Sequence, residues 1–178
     1  MSSSNKPTHE ISIHLRRLVN PVENQIGASK RAFKVHGIDI VVESNRKVNK
    51  ELLQVVEVDS DTTQTTEEQD ELFSLAPDGD TSSITAFVVE ETVPPYWGVS
   101  NRDKRCVIVS KHAKAWTLAH EIGHVLGLDH FSGMGSVSRL MVEGGPVNGL
   151  VRSIPVFAWP ELVTMSESSL LKPITETS

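Results

Sequence analysis

The chain has 178 residues, 38% of them hydrophobic, and a formal net charge of −6. That length suffices for one well-cored domain. The acidic balance, with Arg16-Arg17 and Lys30-Arg31 as isolated basic pairs, argues against a nucleic-acid binder.

No stretch approaches the roughly 18 consecutive apolar residues of a membrane span. The first ten residues lack an apolar h-region, so no Sec-type signal peptide is expected in the chain. The single cysteine, Cys106, excludes an internal disulfide and reads as a small buried hydrophobe in an apolar run.

Residues 11–15 alternate apolar and polar side chains and predict a first strand. Asn20, Pro21 and Glu23 look like a cap, a first-turn proline and a capping acid, so a helix is expected from there, with Val22, Ile26 and Phe33 at helical spacing and Gly37 as the C′ residue. Residues 38–42 predict a second strand, completing a βαβ unit with parallel strands. Residues 45–66 read as a long polar loop holding at most one short strand or turn of helix.

A second helix is expected to open at Thr65-Thr66-Glu67-Glu68 and to stop near Pro77-Asp78-Gly79. The acidic pairs Asp59/Asp61 and Asp78/Asp80 could serve calcium, but neither fits a calcium-loop pattern and turn chemistry explains them more simply. Residues 83–89 predict a third strand and residues 94–105 a loop. Val107, Ile108 and Val109 predict a further strand that could be the cleft edge pairing with an extended substrate; an edge without that role fits equally well. A final helix is expected at 166–171.

Between these lies a helix expected from about His112 to Leu126 that carries His120-Glu121-Ile122-Gly123-His124. Residues four apart leave one helix face, so His120 and His124 can ligate one metal ion. Glu121 lies beside them, placed to act as a base without taking a coordination position. Gly127 can adopt the positive φ that ends a helix and turns the chain back, bringing His130 as a third nitrogen. Three histidines with an open fourth position describe a catalytic zinc site, although such a set also accepts cobalt or nickel. His112, eight residues before His120, is a weaker ligand candidate.

His120-Glu121-x-x-His124-x-x-Gly127-x-x-His130 with a downstream methionine resembles the metzincin zinc peptidases, and the local wording is most similar to their matrixin-like and small bacterial branches. The resemblance is tight over residues 115–141 and topological elsewhere. It implies an α+β fold: a mixed twisted sheet with two helices and the active-site helix in an upper lobe (1–127), and an irregular lower lobe with a C-terminal helix (128–178), together one catalytic domain. It implies a zinc-dependent endopeptidase, expected as a monomer acting on peptides or proteins, in which Glu121 activates a zinc-bound water and then protonates the departing amine.

Met141 is the Met-turn candidate, preferred over Met134 because Leu140-Met141 resembles the usual pair. Val142-Glu143 follows it, so no Met-turn tyrosine assists, and the only tyrosine is Tyr96. Residues 143–159 are expected to wall the pocket after the scissile bond, with Val151, Ile154, Val156 and Phe157 making it apolar. Two rivals stand beside this reading: a zinc-binding interaction or toxin-like module of the same fold, and a zinc hydrolase of non-peptide amides.

Overall fold

A computed structural model describes residues 6–21, 23–131, 138–143 and 154–175. Val22, Met134 and Val151 lie outside the described residues. In chain order the elements are β1 (His9–Arg17), α1 (Gln25–Lys34), β2 (Ile38–Lys47), β3 (Val55–Glu57), α2 (Glu67–Phe73), β4 (Ser83–Val89), β5 (Glu91–Val93), β6 (Gly98–Asn101), β7 (Cys106–Ser110), α3 (Thr117–Val125), α4 (Trp159–Ser166) and β8 (Lys172–Pro173).

The main sheet has the order β2-β1-β4-β7-β6, with β8 added against the start of β1. β1 runs parallel to β2 and β4, and β4 parallel to β7, while β6 returns antiparallel to β7. The expected βαβ unit is therefore present, and the sheet is the mixed one anticipated, mostly parallel in its pairing.

Period-two alternation divides the core between the two sheet faces. Ile84, Ala86 and Val88 of β4, with Val107 and Val109 of β7, pack with α1 and α3, whereas Phe87, Val89, Cys106 and Ile108 pack with Leu72 and Phe73 of α2. Covered on both faces, β4 and β7 are buried along their whole length, which explains their continuous apolar runs.

Several local expectations shift. α1 is capped by Asn24, whose Oδ1 accepts the Gly27 N–H at 2.9 Å, rather than by Asn20. α2 starts where expected, with Thr66 and Gln69 forming a reciprocal capping box, a feature that contributes about 1 kcal/mol. The 45–66 stretch contains a 3-10 turn at Glu51–Leu53 and β3, which pairs with β5 in a separate parallel two-stranded sheet. α3 begins at Thr117, five residues later than expected, because turns occupy the preceding residues.

The last helix spans Trp159–Ser166 instead of 166–171. Pro160 sits in its first turn, where a proline is tolerated, and the Glu161 carboxylate accepts the Ala158 N–H. Among the described residues no helix is long and apolar enough to cross a membrane.

Candidate metal centre

Every residue of α3 is buried, so its two histidines project from an element fixed on all sides. His120 Nε2 and His124 Nε2 lie 3.1 Å apart. Gly127 has φ +104°, a value that favours glycine, and turns the chain so that His130 Nε2 comes within 3.2 Å of His120 Nε2 and 3.1 Å of His124 Nε2. Among the described residues these three form the one cluster whose geometry could hold a metal ion. His112 is exposed and outside it.

For His120 and His124 the other ring nitrogen explains the orientation. His120 Nδ1–H donates to the Leu140 carbonyl and His124 Nδ1–H to the Leu128 carbonyl, each at 2.8 Å. A carbonyl only accepts, so both rings must carry the proton on Nδ1 and turn an Nε2 lone pair inward. Burial, the largest cause, also lowers both pKa values, with His124 further lowered by His120 to about 4, so both rings are neutral at pH 7. Nε2 atoms arranged this way, with their protons elsewhere, repel one another unless a cation lies between them. The spacing fits zinc: tetrahedral ligation at about 2.05 Å puts nitrogens roughly 3.3 Å apart.

Glu121 sits against β6. Burial raises its carboxyl to about 8, opposed by a hydrogen bond with the Ser100 side chain. A Cβ on Gly98 would lie 2.7 Å from both Cγ and Oε1 of Glu121 and 2.8 Å from Thr117 Cγ2, so the strand can approach only because this position lacks a side chain. Beneath the helix, Met141 is fully buried, and a Cβ on Gly123 would meet its Sδ at 2.4 Å. Arg102, from the β6–β7 turn, donates through Nε to the His124 carbonyl at 3.1 Å and approaches Asp129 at 3.8 Å. That places a cation at the C-terminal end of α3.

The triad and Glu121 open into a cleft of about 1020 Å³. Its lining includes Tyr96, Trp97, Gly98, Ser100, Asp61 and Glu143. Val107, Ile108 and Val109 do not line it: β7 is hydrogen-bonded to β4 on one side and β6 on the other, and among the described residues the free edge belongs to β6. The apolar wall expected downstream differs too. Phe157 stacks on Phe33 at 5.0 Å, Ile154 packs on the core, and neither they nor Val156 face the cleft among the described residues.

Cys106 is a buried core residue whose thiol burial pushes up to about 12. Asp61 and Asp80 fold into local turns, accepting from Thr63 and Ser82. The sequence reading missed Gly98, Ser100, Trp97 and Arg102; a glycine ahead of Val99 was the one available hint of a close backbone approach.

Comparison with protein-family models and with curated protein sequences finds no match. Solved structures are similar in fold. A zinc-dependent peptidase from Methanocorpusculum labreanum aligns with a TM-score of 0.51 at 17% identity, covering 86% of this chain and 99% of that one. An archaemetzincin from Archaeoglobus fulgidus, solved with malonate, aligns at 0.50 and 14% identity with the same coverage. The chain thus shares its fold with a protein described as a zinc-dependent peptidase and with one described as an archaemetzincin.

Proposed function

We propose that this chain is a zinc-dependent endopeptidase of metzincin type, a single catalytic domain with residues 1–127 above the cleft and 128–178 below it. The observation that carries the reading is the meeting of three inward-facing imidazole nitrogens with a buried glutamate beside a free strand edge. His120, His124 and His130 would hold the ion. A bound zinc ion supplies Lewis acidity toward a carbonyl and toward water.

The other tasks fall to the protein. The free edge of β6 pairs with an extended peptide backbone and sets its register over the site. In its ionised form Glu121 accepts a proton from the attacking water and passes it to the leaving amine nitrogen, so one carboxylate serves both halves of the reaction. Ser100 and the bare Cα of Gly98 hold that carboxylate toward the cleft. Met141 supports the helix between the histidines from below.

The test is Glu121→Gln. It should still bind one zinc per chain while peptide hydrolysis falls by at least about a hundredfold. Elemental analysis and a mixed-peptide digest read by mass spectrometry check both halves, and an undiminished digest sinks the reading.

A further inference from the structure

The cleft is chemically polarised along β6. At one end Tyr96 and Trp97 directly precede Gly98 and form an aromatic wall, with Lys114 Nζ 5.4 Å from the Trp97 ring. At the other end, Asn101 Nδ2 donates to the Gln64 carbonyl at 3.0 Å and the Arg102 N–H to the Thr62 carbonyl at 2.9 Å. These bonds fasten the loop bearing Asp61 beside the end of the strand.

Asp61 Oδ1 is committed to the Thr63 N–H and hydroxyl, at 2.8 and 2.7 Å, which fixes the carboxylate at the rim. Glu143 adds a second carboxylate to the cleft lining. Asp129 is answered by Arg102, but no cation faces Asp61 or Glu143 among the described residues, and none of the described lining residues is Lys or Arg.

A peptide added to β6 gains most per residue by pairing antiparallel. Its amino-terminal half then lies toward Asn101 and Asp61, and its carboxyl-terminal half toward Trp97 and Tyr96. Four strand residues span about 13 Å, so both ends are within reach of one bound peptide.

We propose that the cleft selects cationic peptides, taking Lys or Arg on the amino side of the cut bond against Asp61, and an apolar or aromatic side chain on the carboxyl side against Trp97 and Tyr96. This rests on the peptidase reading above for its direction of cleavage, but the charge selection is a property of binding and is measurable without turnover.

The experiment uses fluorescein-labelled decapeptides sharing one apolar core and differing only in Arg, Gln or Glu on the amino side. Their binding to full-length, zinc-loaded Glu121→Gln protein is followed by anisotropy, and their hydrolysis by the unmutated protein is followed in parallel. Each exposed charge pair contributes up to roughly fivefold. The Arg peptide should therefore bind up to about fivefold more tightly than the Gln peptide, and the Glu peptide more weakly still. The difference should shrink in Asp61→Asn, which keeps the turn acceptor, and at high salt.

Equal binding of the three peptides overturns the inference even if all are cut. Charge-ordered binding without hydrolysis supports it and counts against the peptidase reading instead.

Discussion

Two histidine centres in this molecule are built from hydrogen bonds of the same length and make opposite demands. On the main sheet, His14 Nδ1 lies 2.8 Å from Ser44 Oγ and its Nε2 lies 2.8 Å from Asp80 Oδ2. Arg16 donates to the same Ser44 oxygen at 2.8 Å. The chain from Arg16 through Ser44 and His14 to Asp80 alternates donor and acceptor and leaves neither ring nitrogen unanswered. At α3 the carbonyls of Leu140 and Leu128 consume the donors of His120 and His124, and two acceptors are left facing each other and His130 Nε2. The lesson is that histidine clustering signals a metal only when the second ring nitrogen is spent on an acceptor.

The sharpest way to break this comparison is to remove one imidazole from each centre. His124→Ala should weaken zinc binding by about a thousandfold, measured by competition with a chromophoric chelator, whereas His14→Gln should leave it within twofold. Equal losses would erase the distinction.

Next in size is stabilisation by the metal. Zinc at a thousand times its dissociation constant should stabilise the fold by about 4 kcal/mol, seen as a rise in melting temperature that a chelator reverses. Asp80→Asn should show the same rise, because its carboxylate belongs to the other centre.

Gly123→Ala tests the packing that only the α3 centre needs. With Met141 Sδ 2.4 Å from the added carbon, the variant should lose about 1–3 kcal/mol in chemical denaturation. Truncating Met141 in the same chain should recover part of the steric component.

The smallest effect belongs to Asp80. Burial pushes its carboxyl up, but hydrogen bonds from Ser82, Ser83 and His14 outweigh that and hold it well below the ordinary 3.8. A depressed carboxylate contributes its stability above the unfolded value and loses it as pH falls through the folded one. With zinc chelated, wild-type protein should therefore lose more stability than Asp80→Asn below about pH 4, by up to about 1 kcal/mol for this half-buried group. Parallel acid titrations of the two proteins, followed by circular dichroism, check it.

Much of the α3 centre was legible because helical period alone fixes His120, Glu121 and His124, and a glycine at a positive φ brings His130 back to them. β6 was not legible. Gly98 to Asn101 is four residues without marked alternation, and its strand character comes from pairing with β7, which no local window contains. The β3–β5 pair is hidden for the same reason, since its partners stand thirty-six residues apart: Val55 opposite Glu91. α4 lies ahead of the expected 166–171 because Pro160 is tolerated in a first turn, so the helix already starts at Trp159. Phe157 was apolar as read, but its aromatic partner is Phe33 on α1, so it belongs to the core rather than the cleft wall.

The Leu140 carbonyl that orients His120 belongs to a residue whose own N–H donates to the Val156 carbonyl at 3.1 Å, and Val156 N–H in turn donates to Ser138 at 2.9 Å. The imidazole is therefore a strut joining any bound ion to the backbone beyond α3. Occupancy at Nε2 and closure of the Leu140 and Val156 amides become a single equilibrium, so deuterium uptake at those two amides should report the metal content of the site from the far side of the ligand ring.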